Sequence, residues 1–216
     1  MELQGAVENF EGAMKHCVNI IEVHRGYGTG GGGRRYREVS LDRAVVVLAV
    51  AAWQAAVQDI TLGIVETAAP SVAKARKRAR YLARCGQVFD GVQKLATPNA
   101  QNTRRLMMSA GFDPRPLWTW TIAGGRGRQR VTWTPAMVDG RLDEWLQVRH
   151  AIAHGHDELP VVQALESVRL DGATSDPTIR LTDAETCVSF LRRLVRLTSN
   201  GAAAHVGTSI VYPATS

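Results

Sequence analysis

The chain has 216 residues, 45% of them hydrophobic and 21% charged, which is ordinary for a soluble globular protein of one domain with a real core. A formal net charge of +6 favours a polyanionic partner, and three scattered cysteines, Cys17, Cys85 and Cys187, form no CxxC and read as buried, reduced thiols in a cytoplasmic protein. The N-terminus, MELQGAVENF, carries acidic residues and no apolar core, which excludes a signal peptide; the longest apolar run, Ala44 to Ala56, is interrupted by Gln54 and is shorter than a membrane span of about 20 residues.

Residues 3–24 predict a first helix, because Leu3, Val7, Phe10, Met14, Cys17 and Ile21 recur every three or four positions. GYGTGGGGRRYR (26–37) follows, a glycine-rich segment read as a flexible loop; it lacks the GK[ST] ending of a phosphate-binding P-loop. Ser40 is a candidate cap for a second helix reaching about Thr67. That helix is apolar nearly all round from Val45 to Trp53 and is therefore expected to be the buried central helix of a bundle. Pro70 and Ser71 separate it from a third helix, 71–94. Lys74, Arg76, Lys77, Arg78, Arg80 and Arg84 cover more than one face of this helix, as on a solvated surface or a track for a nucleic-acid backbone. Asn99 or Asn102 caps a short helix ending at Gly111.

PRPLWTWTIAGGRGRQRVTW then breaks helical periodicity and predicts a loose hairpin around a basic loop at 121–131. Trp118, Trp120 and Trp133 either anchor this hairpin to the core or, with Arg126, Arg128 and Arg130, stack and grip bases. Asp139 or Thr134 starts the next helix, and Pro135 at a first-turn position favours Thr134. Beyond it, Val168–Leu170 and Thr178–Leu181 are expected to pair across Asp171-Gly172. Thr182 with Glu185 forms a capping box for a last helix that ends at Asn200-Gly201. The expected organisation is a single all-α domain over 1–200, a helical bundle with a long central helix and a small hairpin insertion. A loose tail follows at 201–216.

The helix after Thr134 carries LDEWLQVRHAIAHG. On a wheel of about 100° per residue, Leu142, Trp145, Leu146, Ile152 and Ala153 form one stripe, with Arg149 in its middle. A guanidinium there needs an acidic partner or an arriving anion. His154 ends the helix before the capping Gly155, roughly 140° round from Arg149, on a polar flank shared with Asp143, Gln147 and His150.

The spacing Arg149, four residues, His154, in the context VRHAIAHG, resembles the motif of the HEPN superfamily of all-α nucleases and nucleotide-binding proteins. SLDRAVVVLAVAAWQAAVQDI (40–60) is similar to the central helix of its RiboL-PSP-HEPN branch, and TPNAQNTRRLMMSAGF (97–112) to that branch's middle segment. Many members carry Asn directly after the arginine; this chain has His150. The resemblance implies a homodimer formed through the motif helices, so that two copies of Arg149 and His154 line one cleft. It also implies a toxin or phage-defence setting, in which an antitoxin or other regulatory protein restrains the enzyme.

The chemistry expected is RNA cleavage without a metal or cofactor. The 2′-OH of RNA attacks its own phosphorus, histidine moves the protons, and arginine grips the phosphate oxygens. His154 is the expected general acid or base and Arg149 the phosphate clamp. His150 either orients them or is a second proton-transfer group. Three rival readings are a catalytically silent binding or assembly module, a metal hydrolase built on His150, His154 and His156 near Asp157, and a DNA-binding regulator resting on charge alone.

Overall fold

The computed structural model describes residues 2–26, 34–69, 75–122 and 130–213, with the side chains of 34–37 excepted. Its elements in chain order are α1 (Leu3–Gly26), α2 (Arg34–Thr67), α3 (Ala75–Gln93), α4 (Ala100–Ser109), a 3-10 turn (Arg115–Leu117), β1 (Trp120–Ile122), β2 (Val131–Trp133), α5 (Pro135–Ala153), α6 (Glu166–Arg169) and α7 (Leu181–Val206). The fold is all-α, with a two-stranded antiparallel hairpin that pairs Trp120 with Trp133.

The periodic residues of α1, from Leu3 to Ile21, are all buried. They pack on α2, which also carries α7 along its length and touches α5, α3 and α4. At 34 residues α2 is about 51 Å long and reaches across the domain. Val45, Val46, Ala49, Trp53, Val57, Ile60 and Ile64 are buried on a helix packed against five neighbours, which explains its having almost no polar face. Two expectations need correction. The helix begins at Arg34, upstream of Ser40, and Leu48, Ala51 and Ala55 remain exposed along one stripe. Glu38–Thr67 is also long and apolar enough to cross a membrane by length and composition; 56% of its most apolar window is buried inside the protein.

α7 is built differently from its sequence signals. Asp183, fully buried, accepts the backbone N–H of Arg180 (2.9 Å) and that of Glu166 (2.7 Å), so its carboxylate satisfies the start of α7 and ties on α6. Thr182 donates to the Glu166 side chain and takes no capping-box role. The strand pair expected over 168–170 and 178–181 is absent. Residues 166–169 coil into α6, and the Ser167 hydroxyl donates to the Thr178 carbonyl at 2.9 Å. Gly201 does not end the helix. A Cβ there would lie 2.0 Å from Leu117 Cδ1, so this glycine admits the 3-10 turn against α7, and the helix continues to Gly207 (φ 74°). The segment expected as a loose tail is pinned through residue 212: the Val211 N–H donates to Gln4 Oε1 at 2.9 Å, and the Tyr212 and Ser199 hydroxyls meet.

The tryptophans are anchors. Trp118 is fully buried, donates Nε1–H to Thr198 Oγ1 (3.0 Å) and meets Trp53 edge-on at 6.4 Å. Trp120 and Trp133 stack at 5.3 Å and pack on Phe190 of α7.

Where α1 ends, His24 Nδ1 lies 2.8 Å from Asp42 Oδ1 on α2. Burial pushes the Asp42 carboxyl up to about 6, against the pull of His24. The folded state then binds a proton that an unfolded aspartate, titrating near 3.9, has released. This contribution to stability is present below about pH 4 and lost as pH rises through about 6. Denaturant titrations at several pH values check this. The stability of the native protein relative to Asp42→Asn is expected to fall by on the order of 2 kcal/mol across that window, and a flat difference would refute the shift.

Candidate active site

α5 starts as its residues dictate: the Thr134 hydroxyl accepts the Met137 N–H at 3.3 Å, and Pro135 occupies the first helical position. Its buried residues are Val138, Leu142, Trp145, Leu146, Val148 and Ala151. The expected stripe is therefore displaced at its C-terminal end, where Ile152 is half-buried and Ala153 exposed. The cause is the returning chain. After Gly155 it lays Leu159 beside Leu146 and Ala151, and the Gln163 N–H donates to Glu144 at 3.3 Å.

Arg149 is half-buried, and its Nε is buried without an acceptor. Among the described residues it forms no ion pair, so no acidic partner neutralises it. One turn earlier, the Trp145 Nε1–H is likewise unpartnered. Arg43 and Arg192 also have a buried, unpartnered Nε, so this property by itself does not single out Arg149.

The last turn of α5 closes with a Schellman arrangement. The Gly155 N–H donates to Ile152 O (3.1 Å) and the His156 N–H to Ala151 O (2.9 Å), with Gly155 left-handed at φ 68°. This turn folds His156 back onto the helix end. His150 and His154, one turn apart as expected, have ring centroids 4.2 Å apart; the His156 ring lies 6.3 Å from the first and 6.2 Å from the second. All three are exposed. His156 lies past Gly155 in sequence, and that glycine's left-handed turn is what brings it in. Among the described residues no three His, Cys, Asp or Glu side chains are arranged to hold a metal ion.

A cleft of about 830 Å³ opens beside the histidines, walled by His150, His156, Gln147, Asp143, Asn99 and Glu158 among others. Arg149 and His154 are not among its walls. Within one copy, the 140° between them directs the guanidinium inward and His154 outward. Burial raises the Asp143 carboxyl above the usual range, opposed by the Ala100 N–H it accepts at 3.5 Å. Thr97, Asn99 and Glu158 carry no local sequence signal for this position; the packing of α4 and the 156–160 segment against α5 brings them there.

The expected RNA-binding residues do not gather at this cleft. Arg76, Lys77, Arg78 and Arg80 are exposed on α3. Lys77 and Arg80 line a separate depression of about 260 Å³ with Arg84 and Tyr81. Arg130 stands at the hairpin, beside the N-terminal end of α5, whereas the histidines stand at its far end, about 28 Å along the helix. Lys74, Arg126 and Arg128 lie outside the described residues. No family model, curated protein or solved structure was found to match this chain.

Proposed function

We propose that this protein is a metal-independent endoribonuclease of HEPN type, acting as a cytoplasmic homodimer in a toxin or phage-defence system. The observation that carries the reading is the pair of exposed rings of His150 and His154, 4.2 Å apart at the capped end of α5, on the same last turns that carry Arg149 with its buried Nε unpartnered. One imidazole takes the proton of the RNA 2′-OH as its oxygen attacks the adjacent phosphorus. Arg149 neutralises the charge gathering on the phosphate oxygens. The other imidazole gives its proton to the departing 5′-oxygen, so the products end in 2′,3′-cyclic phosphate and 5′-hydroxyl. The divergence of Arg149 and His154 around one helix supports a site shared by two copies, each supplying what the other directs away. A neutralising partner protein fits such an enzyme.

A second reading is a silent nucleotide-binding or RNA-binding module of the same superfamily. It is favoured by Asp143 and Glu158 in the cleft, whose carboxylates oppose an entering phosphate. Total RNA incubated with the purified protein and a chelator, followed by analysis of the new ends, separates the two. Cyclic phosphate ends are expected. RNA retained but uncut, in chelator and with added zinc alike, would leave only the binding module.

A further inference from the structure

We infer that the RNA strand leaving the histidine cleft runs along a groove between α3 and α4, held by Arg105 and Arg84; this rests on the ribonuclease reading above. The groove is a second depression of about 490 Å³, and Thr97 lines both it and the histidine cleft, so the two adjoin at that residue. α4 offers it Asn102, Arg105 and Ser109, one face of that helix at spacings of three and four.

The other wall is one stripe of α3. Lys77, Arg80, Arg84, Gln87, Gly91 and Lys94 follow one another at spacings of three and four, within an arc of about 100°. The first three line the small depression beside Ala110, and the last three line the groove. Arg84 lines the depression at the point where the stripe passes to the groove, one turn before Gln87, and its Nη1 is 3.4 Å from the position a Cβ on Gly111 would take, at the end of α4. The edge from Lys77 to Lys94 is about 26 Å long. It connects the basic turns of α3 to the histidines, which those turns do not reach directly.

Charge accounting points to the two arginines. Asp90 holds Lys94 at 2.7 Å, and Asp113 holds Arg104 with two hydrogen bonds from its Nε and one from Nη2. Arg84 and Arg105 are exposed and form no ion pair among the described residues. The floor between them is closed, since a Cβ on Gly91 would meet Leu106 Cδ1 at 2.9 Å. A ligand therefore lies along the groove and turns at Thr97 into the cleft. A flexible single strand follows that path. A DNA duplex, stiff over about 150 base pairs, does not.

The test uses the full chain and a short single-stranded RNA blocked against cleavage by 2′-O-methylation, with binding followed by fluorescence anisotropy between about 50 and 200 mM salt. Arg84→Ala and Arg105→Ala are each expected to weaken binding by roughly threefold to tenfold and to lower the salt slope by about 0.7. Lys15→Ala, which removes an exposed charge on α1, is expected to bind like the native protein. Circular dichroism establishes that the variants are folded; these side chains are exposed, and Arg84→Lys and Arg105→Lys, which keep the charge, are expected to retain most of the affinity. Native affinity and slope in both alanine variants would overturn the groove, as would equal weakening by Lys15→Ala or equally tight binding of a duplex. Cleavage of unblocked RNA is scored separately. Groove variants that bind weakly while the native protein never cuts would remove the nuclease reading and leave the groove, whereas native cutting with unaffected binding would do the reverse.

Discussion

His154→Ala is expected to slow RNA cleavage by about 10²–10⁴-fold, the range of a lost general acid or base, with Arg149→Ala costing about 10²–10³-fold as a lost charge stabiliser. The His154 ring is exposed at the helix end, so its removal leaves the core intact. The half-buried Arg149 touches packing as well, and Arg149→Lys separates the effects. Lysine keeps the charge and stem but not the planar fork, so activity lost with stability retained marks the clamp. The two inactive alanine variants should also complement when mixed. Subunits lacking the arginine still carry His154, and subunits lacking the histidine still carry Arg149, so mixed dimers contain one intact pair. Single-turnover kinetics on the variants and their mixture measure all three effects. Full activity in His154→Ala would sink the assignment, and an inactive mixture would sink the shared cleft.

Trp118→Ala should be strongly destabilising, and more so than Trp120→Ala, costing about 3–5 kcal/mol as a large buried aromatic is lost. Trp118 is fully enclosed, fills the space between Trp53 and α7, and hydrogen-bonds Thr198. Since domains hold only about 5–15 kcal/mol of net stability, thermal unfolding should move down by roughly 10 °C or more. Trp120→Ala removes a half-buried ring from the stack over Phe190 and should cost about half as much. The alternative, that Trp118 stacks on nucleobases, expects lost RNA affinity at unchanged melting temperature. Thermal denaturation and RNA anisotropy on the same two variants decide between them.

The cleft and the groove join in one surface. The cleft end holds His150 and His156, with the His154 ring beside them and Arg149 directed away within one copy, and the groove wall holds Arg105, which forms no ion pair among the described residues. Asp143 and Glu158 stand between, so affinity should come from the groove and the arginine rather than from the cleft walls. Charge reversal at the groove should therefore change binding more than the rate of the bound complex.

The helices were legible in the chain where one physical signal dominated. α1 repeats apolar residues at helical spacing, α2 is apolar enough to require neighbours on most sides, Asn99 caps α4, and Thr134 with Pro135 starts α5. The adjacency of His150 and His154 also followed from spacing, because residues four apart on a helix meet whatever surrounds them. Features that depend on partners distant in sequence could not be read this way. Gly201 looks like a helix stop until Leu117 is placed against it, and Thr182 looks like a cap until Asp183 is seen buried and bonded to Glu166. Ala153 looks interior until the chain after Gly155 covers the other side of α5. His156 and Arg105 acquire their surroundings only from the turn at Gly155 and the packing of α3 on α4. Local spacing and capping chemistry were enough to determine α1, α4, the start of α5 and the meeting of His150 with His154. Which face of each helix was buried, and which charges ended on one surface, was decided by tertiary packing, because burial is set by neighbours that local periodicity does not encode.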